Sequence, residues 1–217
     1  MIDETINKLK IIQENLKNIS NTNEPDIICV SKTFPLSKLE PLIKFGHCHF
    51  GENKVQEAEK KWSQILQINK NLKIHMVGKL QSNKAKKAIN IFSFIHSLDN
   101  LKLADVCKKS EEELNKKISY FIQVNIGNES QKSGVLMKDV KSFLKYCSVE
   151  NKLNIIGLMV LPPNDTNTEK YFEDISKLNS ELGLKDLSMG MSADYKIAAK
   201  HKSTYLRIGS AILGQRT

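Results

Sequence analysis

Lys32 ends an otherwise apolar, β-branched run, Ile27-Ile28-Cys29-Val30-Ser31. A lysine amine titrates near 10.4 in water, and partial desolvation lowers that value and frees a nucleophile for carbonyl compounds. Far along the chain, Ser192 follows Ser188-Met189-Gly190-Met191, and Gly209-Ser210 follows Arg207-Ile208. Ser192 suits a helix N-cap. Gly209-Ser210 can present backbone N–H groups at the start of a helical turn, where anions bind. An amine facing such a cradle would suit an aldehyde that carries a phosphate.

Other chemistry-bearing groups lead less far. In a strand, His47 and His49 share one face while Cys48 points to the other, so the three cannot converge on one metal ion. Cys29, Cys48, Cys107 and Cys147 show no C-x-x-C spacing and read as reduced and mostly buried. The chain carries 33 Lys and Arg against 24 Asp and Glu, a formal charge of +9, which raises the question of nucleic acid. Lys84, Lys86, Lys87, Lys108, Lys109, Lys116 and Lys117 fall on amphipathic helical segments without interleaved aromatics to stack bases. They read as solvated helix faces, and no specific nucleic-acid partner is expected.

The elements that must position these groups alternate regularly. Ile2, Ile6, Leu9, Ile12, Leu16 and Ile19 form one helical stripe, which stops in the polar stretch from Ser20 to Pro25. Strand patterns then begin at Ile27, His47, Leu72, Phe92, Ile118, Leu153, Leu187 and Thr204. Helical patterns follow them over 36–45, 53–68, 82–91, 100–114, 136–147, 168–182 and 192–200, with a last turn after Gly209. Eight strand-then-helix units imply a parallel sheet and favour a closed (β/α)8 TIM barrel over an open sheet. No G-x-G-x-x-G follows the first strand, which argues against a dinucleotide fold. One domain is expected over 1–217, with 1–24 as N-terminal helix and connector and 25–217 as the barrel.

A parallel barrel gathers its active residues at the C-terminal strand ends. That rule selects Lys32, Glu52 with Asn53, His75 with Gly78, His96 with Ser97, Asn125, Met159, the 188–192 run and the 207–210 run. Loops after the seventh and eighth strands commonly hold phosphate. On these residues alone, pyridoxal 5′-phosphate and the substrate of a Schiff-base sugar-phosphate aldolase both remain open.

The sequence resembles the YggS/PROSC family of pyridoxal phosphate homeostasis proteins. The matching runs include Val30-Ser31-Lys32-Thr33, Phe50-Gly51-Glu52-Asn53-Lys54-Val55-Gln56-Glu57 and Ile74-His75-Met76-Val77-Gly78-Lys79-Leu80-Gln81-Ser82-Asn83-Lys84. Ile95-His96-Ser97-Leu98-Asp99, Lys132-Ser133-Gly134, Leu187-Ser188-Met189-Gly190-Met191-Ser192 and Arg207-Ile208-Gly209-Ser210 continue the match in order. The resemblance implies an alanine-racemase-like barrel. It implies Lys32 as carrier of the cofactor in an internal aldimine and Arg207 as the group facing the pyridine nitrogen. It further implies Ser192, Gly209 and Ser210 at the phosphate, and Asn53 and His75 along the pocket wall. Lys54 and Lys79 depart from the tyrosine and histidine frequent at those places. His96 is read as scaffold.

The expected function is thus to hold pyridoxal phosphate on a lysine and to act in its intracellular homeostasis, without a settled catalytic activity. An amino-acid racemase or decarboxylase is the alternative. Racemases of this fold add a β-domain bearing a catalytic tyrosine, whereas this chain ends at Thr217. An aldolase would need an acid/base partner, and no carboxylate is obvious beside Lys32. Expected partners are the cofactor and the apo-enzymes that receive it, with the chain a monomer. The start of the chain lacks a signal peptide and no run spans a bilayer, so a cytoplasmic location is expected.

Overall fold

The computed structural model describes residues 3–19, 24–129 and 131–215. Ile2 at the head of the first stripe, the polar residues 20–23, and 216–217 lie outside them. The strands are β1 (Asp26–Val30), β2 (His49–Glu52), β3 (Lys73–Met76), β4 (Phe94–Leu98), β5 (Ser119–Asn125), β6 (Val135–Leu136), β7 (Asn154–Val160), β8 (Asp186–Ser188) and β9 (Tyr205–Ile208). All pairings are parallel; β1 pairs with β2 and β9, and β4 with β5, which closes a ring of eight. The expected barrel is therefore present, with each expected strand in place.

The sheet's two faces do different work. Outward-facing Ile27, Cys29, Phe50, Ile74, Ile95, Tyr120, Ile122, Leu158 and Leu206 pack with the surrounding helices in one apolar cluster. Inward-facing positions point the other way, because side chains alternate along a strand. A Cβ added at Gly51 would lie against the side chains of Ile28, Val30 and Val77, which places those residues inside the barrel. The helix Glu4–Lys17, capped by Asp3 on the Thr5 N–H, seats Leu9, Ile12 and Leu16 on the same outer cluster.

Three local expectations need correction. The helix drawn over 53–68 is two, Val55–Trp62 and Ile65–Ile68. Near the break, the Ser63 hydroxyl donates to the Glu59 carbonyl, 2.6 Å away, a back-bond that competes with helix continuation. The helix drawn from Leu136 starts later, because Val135–Leu136 instead forms β6 beside Val124 and Asn125 at the end of β5. A two-residue strand leaves no periodicity to read. The last long helix starts at Tyr195, with Asp194 rather than Ser192 at its N-cap position. Among the described residues no helix is long and apolar enough to cross a membrane.

Candidate functional site

At the C-terminal mouth of the barrel lies a cavity of about 710 Å³. Lys32, Asn53, Ser192, Arg207, Gly209 and Ser210 line it, with Val30, Phe34, Val77 and Leu161 as apolar walls. Six of the seven residues that the family resemblance implies at the cofactor thus meet in one space, though they come from four different strand ends.

Lys32 stands in the turn after β1, half-buried, followed by Thr33 with φ of 71°. That turn is clamped from outside the barrel. The Thr33 N–H donates to the Glu57 carboxylate, and Lys61 Nζ donates to the Ser31 carbonyl, 2.8 Å away. Lys61 Nζ also donates to Glu52 Oε1 at 2.7 Å, as do the Ser31 hydroxyl at 2.7 Å and Trp62 Nε1 at 3.0 Å. Glu52 is fully buried and Lys61 nearly so. The residues flanking Lys32 are thereby tied to an interior ion pair.

Arg207 faces the cavity from β9 and is 5% exposed. Its Nη1 donates to the Ser188 carbonyl at 2.7 Å and the Ser188 hydroxyl at 2.6 Å, and its Nη2 donates to the Val160 carbonyl at 2.8 Å. Burial pushes the guanidinium down to about 10, with Asp194 opposing, so it keeps its charge at neutral pH. Ser192 does not cap the helix that follows it, contrary to expectation. Its hydroxyl accepts from the Ala211 N–H, 3.3 Å away, and so joins the β8 loop to the turn that starts at Ser210. The loop that carries Ser192 turns at Gly190, whose φ is +91° and where a Cβ would come within 2.5 Å of Ala198 Cβ. Only glycine meets both demands. Asn53 is held by a similar close approach, since a Cβ on Gly78 would lie 2.5 Å from the Asn53 carbonyl oxygen.

The seventh residue is placed elsewhere. His75 does not line the cavity; it is fully buried in the barrel interior, one pleat below the mouth. The side chain that reaches the cavity from this strand end is that of Val77, two residues further on the same face. His75 Nε2 lies 3.0 Å from His49 Nδ1, its Nδ1 lies 2.9 Å from His96 Nε2, and its ring stacks on Phe94 at 4.3 Å between centroids. His96, read as scaffold, is fully buried and bonded to His75 and to the Ser188 hydroxyl at 2.9 Å. Burial above all holds His75 and His96 well below the ordinary histidine range, with the neighbouring histidines adding to it at His75 and the Arg207 charge at His96. Of the two departures from the family pattern, Lys54 is exposed at the head of the helix Val55–Trp62, away from the cavity lining. Lys79 borders a neighbouring cavity of about 420 Å³ that shares Asn53, Val77 and Leu161 with the first. Sequence reasoning passed over Ser188 as a seat for Arg207. The signal was available: Ser188 sits two residues before Gly190 on an inward parity.

The closed parallel barrel defines the class of fold. Residues 8–217 match the alanine racemase N-terminal domain family, and the chain belongs to that family. Within it, the chain is 34% identical over 199 residues to the pyridoxal phosphate homeostasis protein of Aquifex aeolicus, covering 88% of this chain and 86% of that one. It is 32% identical over 202 residues to the protein of the same name from Escherichia coli K12, covering 89% and 86%. The structure of PipY from Synechococcus elongatus PCC7942 with PLP bound superimposes with a TM-score of 0.86 at 30% identity, covering 97% of this chain and all of that one. An alanine racemase from Clostridium difficile shares the fold, with a TM-score of 0.73 at 15% identity; 57% of that chain is covered.

Proposed function

We propose that this chain is a pyridoxal phosphate-binding protein of one barrel domain that acts in intracellular homeostasis of the cofactor. The observation that carries this reading is the convergence of Lys32, Arg207, Ser192, Gly209, Ser210 and Asn53 on one cavity. The donor set fits the ligand group by group. An amine suits the aldehyde, a hydroxyl and the amides of a helical start suit the phosphate, and a guanidinium suits the ring nitrogen. Apolar walls at Val30, Phe34 and Leu161 suit the ring, and about 710 Å³ lies within the usual range for small-molecule sites. The relatives named for this homeostasis and the neighbour solved with PLP bound support the same reading.

Lys32 supplies the amine that captures the aldehyde carbon, with loss of water. When bound, the cofactor supplies an electron sink that is strong only if its ring nitrogen is protonated. Arg207 stays charged and can only donate, so it opposes a proton at that atom. We therefore read the protein as a holder and donor of cofactor, with negligible racemase or decarboxylase turnover, working as a monomer in the cytoplasm and handing the cofactor to apo-enzymes.

The test is an absorbance spectrum of the loaded protein before and after borohydride. A visible band that moves on reduction, with the adduct on the Lys32 peptide, is the expected result. Lys32→Ala is expected to lose the band and stay folded. A band that survives in Lys32→Ala transfers the role to another lysine. Rapid exchange of an amino acid's α-proton for deuterium, lost in Lys32→Ala, would instead make the protein an enzyme.

A further inference from the structure

A continuous line of side-chain hydrogen bonds crosses the barrel from its floor to the cavity. It runs from His49 to His75 at 3.0 Å, to His96 at 2.9 Å, to the Ser188 hydroxyl at 2.9 Å, and to Arg207 Nη1 at 2.6 Å. At the floor, His49 Nε2 lies 4.0 Å from the half-exposed Asp26 carboxylate. These residues come from β1, β2, β3, β4, β8 and β9, so most of the barrel's circumference contributes to one line.

The polarity of the line follows from its upper end. A guanidinium has five donors and no acceptor, so Ser188 Oγ must accept from Arg207. The serine hydrogen is then directed to its other partner, His96 Nδ1. His96 therefore carries its proton on Nε2 and donates it to His75 Nδ1. By the same logic His75 donates from Nε2 to His49 Nδ1, and His49 turns its own Nε2–H toward Asp26. The lower end demands the same sense, since a carboxylate favours an N–H and repels a lone pair. Both ends thus select one tautomer for all three rings. Water has little access in between: the His75 ring stacks on Phe94 and the His96 ring on Phe121, each at 4.3 Å, with Tyr205 against both. With the serine hydrogen held on His96 Nδ1, an imidazolium anywhere in the line would set two donors against each other.

We propose that His49, His75, His96 and Ser188 are positioning residues for Arg207: a tautomer-locked column that fixes the guanidinium at the cavity and transmits to it the state of the Asp26 end of the barrel. Without the column, Nη1 keeps the Ser188 carbonyl and Nη2 the Val160 carbonyl, but the hydroxyl that fixes the fork's roll is no longer oriented. The link to the cofactor rests on the reading that Arg207 faces its ring nitrogen. The column itself does not.

The experiment has two arms. In the cofactor-free protein labelled with ¹⁵N-histidine, two-bond ¹H–¹⁵N correlation at neutral pH is expected to show Nε2–H tautomers for His49, His75 and His96. Ser188→Ala, a small and tolerable truncation, is expected to shift the His96 nitrogens most and those of His75 next. It is also expected to make the Arg207 guanidinium protons exchange with water about tenfold faster, the effect of one lost net hydrogen bond. An Nδ1–H tautomer at His96, or unchanged Arg207 exchange in Ser188→Ala, overturns the proposal whether or not the protein binds cofactor. In the second arm, Asp26→Asn at the floor is expected to move the absorbance maximum of the loaded protein in the same direction as Ser188→Ala, by a smaller amount. Phe94→Leu, which alters packing and leaves every bond of the line, is expected to leave it in place. A maximum that ignores Asp26→Asn and Ser188→Ala but follows Phe94→Leu overturns transmission. Failure to take up pyridoxal phosphate at all sinks the proposed function and leaves the first arm to decide the column.

Discussion

Two buried polar networks support the two halves of the cavity, and they are built on opposite principles. The one outside the barrel, beneath the Lys32 turn, is ionic: Glu52 Oε1 receives Lys61, Ser31 and Trp62, while Oε2 has no hydrogen-bond partner. The one inside the barrel, beneath Arg207, is a line of imidazoles joined ring to ring, which we read as neutral and donating in one direction. A buried ion pair depends on both partners, because removing either leaves an uncompensated charge in a low-dielectric site. A neutral chain loses one hydrogen bond at a time, but only one arrangement of its protons is compatible with both ends. The first network anchors a backbone turn by strength; the second orients a side chain by direction.

The largest effect is expected from breaking the ionic network. Lys61→Met should destabilise the fold by about 3–5 kcal/mol, read from urea unfolding, because Glu52 is left charged and unpaired. The double variant Lys61→Met with Glu52→Gln should recover most of that loss. If the single and double variants are equally unstable, the cost lies in packing around Trp62 and the ionic account fails.

An intermediate effect, counted per histidine, is expected from protons. His49, His75 and His96 are held below the ordinary value in the folded chain, by burial in each case, whereas the unfolded chain titrates near 6.5. Below about pH 6.5 the unfolded state binds more protons, so stability is complete above that pH and falls as the pH drops. Each histidine that stays neutral contributes a slope of about 1.4 kcal/mol per pH unit below 6.5. Urea midpoints between pH 7 and 5 should fall accordingly, and His75→Leu should flatten the slope by one proton. A slope that is the same in both proteins would show that His75 is already protonated in the fold.

The smallest effect calibrates the others. Lys86 and Glu113 pair at 2.7 Å on the surface, with side chains 60% and 40% exposed. Lys86→Ala should cost less than about 1 kcal/mol, and added salt should erase the difference. A larger loss would mean that a short distance alone makes an ion pair strong, which the contrast with Lys61 and Glu52 denies.

Much of the site is legible in the sequence. Lys32 and Arg207 stand at the ends of strand patterns, and Gly209 shares the inward parity of Arg207, so barrel logic alone brings them to one mouth. Depth along a strand is not legible in the same way. His75 in β3 and Val77 just beyond it share one side-chain parity, and only the stagger of neighbouring strands decides which of them reaches the cavity. Ser192 misleads for a related reason. A serine before a helical pattern reads as its cap, but its hydroxyl is engaged by Ala211, nineteen residues away.

The sequence by itself determined the alternation of strands and helices, and hence a parallel barrel, because hydrophobic period and turn chemistry are local properties. It also determined which residues stand near strand ends. The tertiary structure alone decided the histidine column. Its members lie at positions 26, 49, 75, 96, 188 and 207, and no local period links them. They meet because the ring closes between β1 and β9 and between β4 and β5, which brings inward-facing side chains from both ends of the chain within hydrogen-bonding distance. Direction along that line then comes from a guanidinium that can only donate, a constraint that exists only once Arg207 and Ser188 are neighbours.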